Sequence, residues 1–165
     1  MQNKTEFYQQ LLAQTKSLID DEPDSIANMA NISALLFDAL PQVNWLGFYR
    51  VIDNELVLGP FQGKVACIRI PVGKGVCGTA VQTKTTQLID DVHQFDGHIA
   101  CDATTNAEIV IPVQVNGDII AVLDIDSTSF NRFDQADKTG LEAIVNAFVQ
   151  NLSASNELMS THKGR

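Results

Sequence analysis

Apolar residues at the start of the chain recur at helical spacing. Phe7, Tyr8, Leu11, Leu12, Leu18 and Ile19 are separated by intervals of three, four and seven, which predicts a helix over about residues 5 to 19. Pro23-Asp24-Ser25 then supplies a break and a polar cap, and Ile26, Met29, Ile32, Leu35, Leu36 and Leu40 predict a second helix that stops before Pro41. Beyond Pro41 the pattern changes. Residues 43–52 and 55–59 are rich in β-formers and separated by Asp53-Asn54, a hairpin pattern, and residues 65–70 predict a third strand. Gly73 to Ala80 reads as a glycine-rich turn opening a short helix, followed by a strand at 86–90 and a long loop at 91–107. Residues 108–115 and 118–126 flank Asn116-Gly117, a strong hairpin signal, and a last helix is predicted over about 134–156. Helices, then strands, then a helix give an α+β fold class with an antiparallel sheet covered by helices.

With 165 residues, 45% of them hydrophobic and 19% charged, the chain can bury one core, and a single domain over 1–165 is expected. A formal net charge of −9 argues against nucleic acid as a partner, because phosphate backbones are held by lysine and arginine. The first residues carry no apolar signal core and no run approaches a membrane span, so no membrane partner and a cytoplasmic location are expected. Three cysteines fit a reducing compartment better than a disulfide scaffold.

The long loop contains His93, His98 and Cys101, and a histidine three residues upstream could stabilise a Cys101 thiolate, the reactive form of the side chain. Periodicity places Cys67 in a strand core and leaves Cys77 undecided. A zinc site built from these three cysteines and two histidines lacks the paired spacing such sites use. His93 is expected to bond to backbone and order the loop. Glu108 begins one strand, while Asp124 and Asp126 lie on one face near the end of the next, among apolar neighbours. Partly buried acids need cationic partners, and a ligand amine is one. Trp45 and Tyr49 alternate with Gly47, where the missing side chain could leave room for a small ligand between two rings, and ordinary core packing accounts for the pattern equally well. The Gly73 to Gly78 segment has neither a P-loop nor a dinucleotide-binding pattern.

Gly59-Pro60-Phe61-Gln62-Gly63 with Cys67, Gly73-Lys74-Gly75-Val76-Cys77-Gly78, Asp91-Val92-His93, Gly97-His98-Ile99-Ala100-Cys101-Asp102 and Glu108-Ile109-Val110-Ile111-Pro112 occur in that order. In these motifs, over about residues 40 to 150, the chain resembles the GAF-domain free methionine-(R)-sulfoxide reductases. The resemblance implies a central antiparallel sheet of about six strands flanked by helices, and reduction of free methionine sulfoxide without metal or organic cofactor. It implies Cys101 as nucleophile, Cys67 as its partner in a disulfide, and Cys77 as a third cysteine of the recycling chemistry. Glu108, Asp124 and Asp126 would hold the substrate, Trp45 and Tyr49 would lie near its methyl end, and thioredoxin would be the reductant. A stand-alone GAF small-molecule sensor is the alternative, but it has no need of three thiols. The apolar stripes of the terminal helices lead us to expect a homodimer.

Overall fold

A computed structural model describes residues 2–99 and 101–162. Its elements are α1 (Lys4–Ile19), α2 (Ser25–Ala39), β1 (Trp45–Ile52), β2 (Glu55–Gly63), β3 (Arg69–Pro71), α3 (Gly75–Thr83), β4 (Gln87–Ile89), a 3₁₀ turn (Val92–Gln94), β5 (Ala107–Val115), β6 (Asp118–Ser127) and α4 (Gln135–His162). The six strands form one antiparallel sheet in the order β3-β2-β1-β6-β5-β4.

Local chemistry accounts for most boundaries. Asn3 and Asp24 cap α1 and α2 by accepting from the backbone N–H groups of Glu6 and Ala27. Both hairpin turns use left-handed residues, Asp53 and Asn54 at φ 51° and 61°, and Asn116 and Gly117 at φ 51° and 86°. Those angles match the twist of the flanking strands. At the start of α4, Asp134 accepts from the N–H of Asp137 while Asp137 accepts from the N–H of Asp134.

Four boundaries differ from the sequence expectation. β2 runs on to Gly63 through Pro60, whose missing N–H is tolerated at the register shift opposite Gly47 and Tyr49. Residues 65–68 are not strand, and Cys67 is half-buried in the connection rather than in a strand core. Gly63, at φ 129°, turns the chain out of β2, and the Cys67 carbonyl is taken by the Tyr49 hydroxyl instead of a ladder partner. The helix begins within the glycine-rich motif, at Gly75, and α4 continues past residue 156.

Each face of the sheet carries its own apolar layer. α1, α2 and α4 cover one face through Tyr8, Leu36, Phe148 and the inward residues Leu46, Phe48, Ile109, Leu123 and Ile125. The other face carries Trp45, Tyr49, Val110 and Val122 beneath Val76, Cys77 and Ala80 of α3. Among the described residues no helix is long and apolar enough to cross a membrane.

Candidate active site

Register builds the site on the α3 face. Trp45 of β1 pairs with Asp126 of β6, which pairs with Glu108 of β5; in the next row on that face Gly47, Asp124 and Val110 align in the same way. Three carboxyl groups from two strands are thereby gathered on one floor, because successive residues of one orientation are two apart. Over them lies Cys77, buried in the first turn of α3. One donor atom each from Cys77, Glu108 and Asp124 falls within 4.8 Å of the other two.

The floor is dry and crowded with acid. Glu108 and Asp124 are 6% and 5% exposed, and the Oδ1 atoms of Asp124 and Asp126 have no hydrogen-bond partner among the described residues. Burial pushes all three carboxyl groups well above the usual carboxylate range, and each is raised further by a neighbouring acid: Glu108 by Asp126, Asp124 by Glu108, and Asp126 by Asp124. The Cys77 thiol is pushed up by burial and then by Asp124, so it is held protonated. Burial, followed by Asp124, raises the Tyr49 phenol as well.

Two loops close over this floor and are joined by a disulfide between Cys67 and Cys101, with Cα atoms 5.6 Å apart. Both aromatics hold the first loop: the Tyr49 hydroxyl donates to the carbonyl of Cys67 at 2.9 Å, and Trp45 Nε1 donates to the carbonyl of Lys64 at 3.1 Å. In the second loop, the ring of His93 bonds to the side chain of Asn106 at 3.0 Å, and Asn106 in turn donates to the carbonyl of Thr128. His93 thus orders the loop through a side chain rather than through backbone alone. Ile99 rests on Gly75, and Asn44 donates to Asp102 beside the disulfide. What remains beneath is a cavity of about 50 Å³, bordered by Trp45, Tyr49, Cys77, His98, Cys101 and the three acids.

His98 reaches Glu108 rather than acting as a fixed cation, its Nε2 lying 3.7 Å from Oε1. That is too long for a hydrogen bond, and burial lowers the imidazole pKa, while burial and then Asp126 raise that of Glu108. The three cysteines and two histidines weighed as zinc ligands are not brought together. Cys67 and Cys101 bond to each other, and His93 is exposed against Asn106.

The matching family model is the GAF domain, over residues 27–153. The free methionine-R-sulfoxide reductase of Escherichia coli (strain K12) is 57% identical over 143 residues, 87% of each chain. The chain belongs to the GAF-domain free methionine-R-sulfoxide reductases. Among solved structures, that of the free methionine-R-sulfoxide reductase from Neisseria meningitidis in complex with its substrate has a TM-score of 0.91 at 39% identity, covering 96% of this chain and 95% of that one. The structure of fRMsr of Staphylococcus aureus in complex with substrate gives 0.85 at 55% identity, covering 88% and 95%.

Within this GAF domain the eight residues singled out from the sequence all border the cavity or form the bond that closes it. Besides the strand-core placement of Cys67, the ligand-slot reading of the Trp45 and Tyr49 face fails, and ordinary packing holds there. The space over Gly47 is not a ligand slot, because a Cβ there would collide with Phe61, and the Trp45 and Tyr49 rings stack directly with centroids 5.8 Å apart. Phe61 itself was not anticipated, although it stacks on Trp45 at 5.2 Å; its signal was an aromatic after Pro60, between the strands expected at 55–59 and 65–70. Thr105 was also missed. It is 5% exposed, borders the cavity and has a hydroxyl without a partner among the described residues, and nothing in its sequence setting marks it.

Proposed function

We propose that this chain reduces free methionine (R)-sulfoxide to methionine with Cys101 as nucleophile. The observation that carries the reading is the Cys67–Cys101 bond closing a cavity floored by the buried Glu108 and Asp124 and the half-buried Asp126. The Cys101 thiolate attacks the sulfoxide sulfur, oxygen passes to the cysteine as it is protonated, and methionine leaves an enzyme sulfenic acid. The Cys67 thiol condenses with that sulfenic acid and releases water, giving the disulfide. An external dithiol, thioredoxin in this reading, returns both cysteines to thiols and ends as a disulfide itself. Every electron travels through sulfur. The reading places the enzyme in the cytoplasm, where such dithiols are kept reduced.

The acids have two tasks. A carboxyl held protonated by its neighbours can donate to the sulfoxide oxygen as charge develops there, and the ionised remainder pairs with the substrate ammonium. Trp45 and Tyr49 supply the apolar wall for the methyl end. Supporting this assignment, the reductases in the two complexes named above share the fold over most of the chain.

The test is methionine formation from free methionine sulfoxide and dithiothreitol. Cys101→Ser keeps the fold and abolishes turnover; retained activity overturns the assignment. Cys67→Ser gives a single methionine per chain and slow recycling, while Cys77→Ser loses less than either, and comparing the three by burst amplitude and steady rate orders them.

A further inference from the structure

The disulfide has two unlike shores. On the Cys101 side its neighbours are polar: Asp102 and Thr104 bond to each other at 2.6 Å, and His98 turns inward. On the Cys67 side lie the two most exposed large hydrophobic residues described, Val65 at 93% and Ile68 at 68%. Neither supports the fold. The segment that carries them is fixed instead by its backbone, through the Trp45 and Tyr49 bonds to the carbonyls of Lys64 and Cys67 and the bond from the Leu58 N–H to the carbonyl of Ile68. A rigid backbone that presents bare apolar side chains next to a solvent-facing disulfide has the form of an interface core. The exposed Lys64 adds a positive charge beside it on a chain of formal net charge −9, while the exposed Arg69 is paired with Glu55 at 3.1 Å.

We infer that Val65 and Ile68 form the docking surface for a protein dithiol that reduces the Cys67–Cys101 bond, and that this reductant attacks Cys67. The inference rests on the catalytic cycle proposed above and adds the surface and direction of approach. The occupant is a protein with an apolar surface around its reactive cysteine and no cation facing Lys64, because a small thiol would have no use for the patch and like charge would be repelled by Lys64. Its thiolate attacks Cys67 Sγ, the Cys67–Cys101 bond breaks, and Cys101 leaves as a thiolate. The partner's second thiolate then attacks the mixed disulfide and frees Cys67. Two electrons and two protons pass from the partner's dithiol to the two cysteines, and the partner leaves as a disulfide. Release of Cys101 in its anionic form returns the nucleophile ready to react.

Reduction of the oxidised chain can be followed by thiol counting with no sulfoxide present, which separates this inference from the substrate assignment. Val65 also borders the mouth of the cavity, so Ile68→Asp is the informative variant. With thioredoxin, its reductase and NADPH, the second-order rate of disulfide reduction falls about tenfold in Ile68→Asp, the loss usual for an apolar anchor at an interface centre. With dithiothreitol or glutathione the variant and parent react alike. An unchanged rate with thioredoxin, or an equal fall with every thiol, overturns the inference. A thioredoxin lacking its second cysteine should stop at a mixed disulfide that peptide mass mapping places on Cys67; an adduct on Cys101 overturns the direction of attack. If oxidised chain is reduced as described yet reduced chain makes no methionine with dithiothreitol, the catalytic assignment fails and the docking surface stands.

Discussion

On the helical face of the sheet, Asp137 is 1% exposed and every oxygen is occupied: Oδ1 accepts from the Tyr8 hydroxyl at 2.7 Å, and Oδ2 from Lys4 Nζ at 2.7 Å and the Asp134 N–H at 2.9 Å. Arg132 stands 3.6 Å away. On the opposite face Glu108 and Asp124 are buried nearly as deeply and Asp126 is half-buried, with acids for neighbours and two oxygens unpartnered among the described residues. Both are buried carboxylates in one small domain. The first holds α1 to α4 and is complete. Among the described residues the second has no lysine or arginine paired with it, and a substrate ammonium would bring that cation. Burial alone therefore does not mark a functional acid; burial without a partner does.

The comparison is broken most severely by removing the satisfied acid. Asp137→Ala leaves Tyr8 and Arg132 without their common acceptor and should cost about 3 kcal/mol of stability, measured by urea unfolding, while kcat at a temperature where the variant is folded stays near the parent's. A stable variant with lost turnover would reverse the roles assigned to the two faces. Next in size is substrate charge. N-acetylmethionine sulfoxide has no ammonium to offer the acids and should lose on the order of 2 to 5 kcal/mol in kcat/KM. Glu108→Gln should weaken the free amino acid far more than the acetylated one, and similar efficiencies for both substrates in the parent would return these acids to a structural role.

The smallest effect is on stability against pH. The three site acids are raised in the folded state, so their contribution to folding is fully present below the unfolded carboxyl pKa and is lost as pH rises through the folded values. Groups facing Asp124 are Glu108, Asp126, Cys77 and Tyr49, with His98 beyond Glu108. Asp124→Asn removes one raised acid without changing its shape. Its melting temperature between about pH 5 and pH 9 should fall less steeply than the parent's and lie above it at the alkaline end, although turnover drops. A parallel fall in both proteins would show that Asp124 is not part of the unpaired cluster.

The two faces also differ in how far they could be read in advance. Asn116-Gly117 and Asp53-Asn54 announce their hairpins because turn chemistry is local, and Asp124 and Asp126 declare a shared face because strand period is two. What joins Glu108 to Asp126 is register between strands, which alternation alone leaves open. Cys67 was misplaced for a reason of the same kind: its carbonyl is captured by Tyr49, eighteen residues earlier, so the predicted strand starts late. The room expected above Gly47 vanished because a register shift brings Phe61 against it. Tyr8 and Asp137 meet across a separation of 129 residues, beyond any periodicity, and only Gly140, where a Cβ would strike the Tyr8 ring, hints at the close approach.

The bond between Cys67 and Cys101 spans a sequence separation of 34 residues that includes α3 and β4. Cross-linking a loop of that length removes configurations from the unfolded chain equivalent to about 4 kcal/mol in the chain-entropy description. By the closed cycle linking folding to oxidation, the native fold must favour the bond over two free thiols by the same amount relative to the disordered chain. Each turnover thus carries the protein through its most heat-resistant form, and the dithiol that restores activity also returns it to a looser one. Exhaustion of reductant would leave the molecules idle but tightly folded, protected from unfolding until dithiol supply recovers.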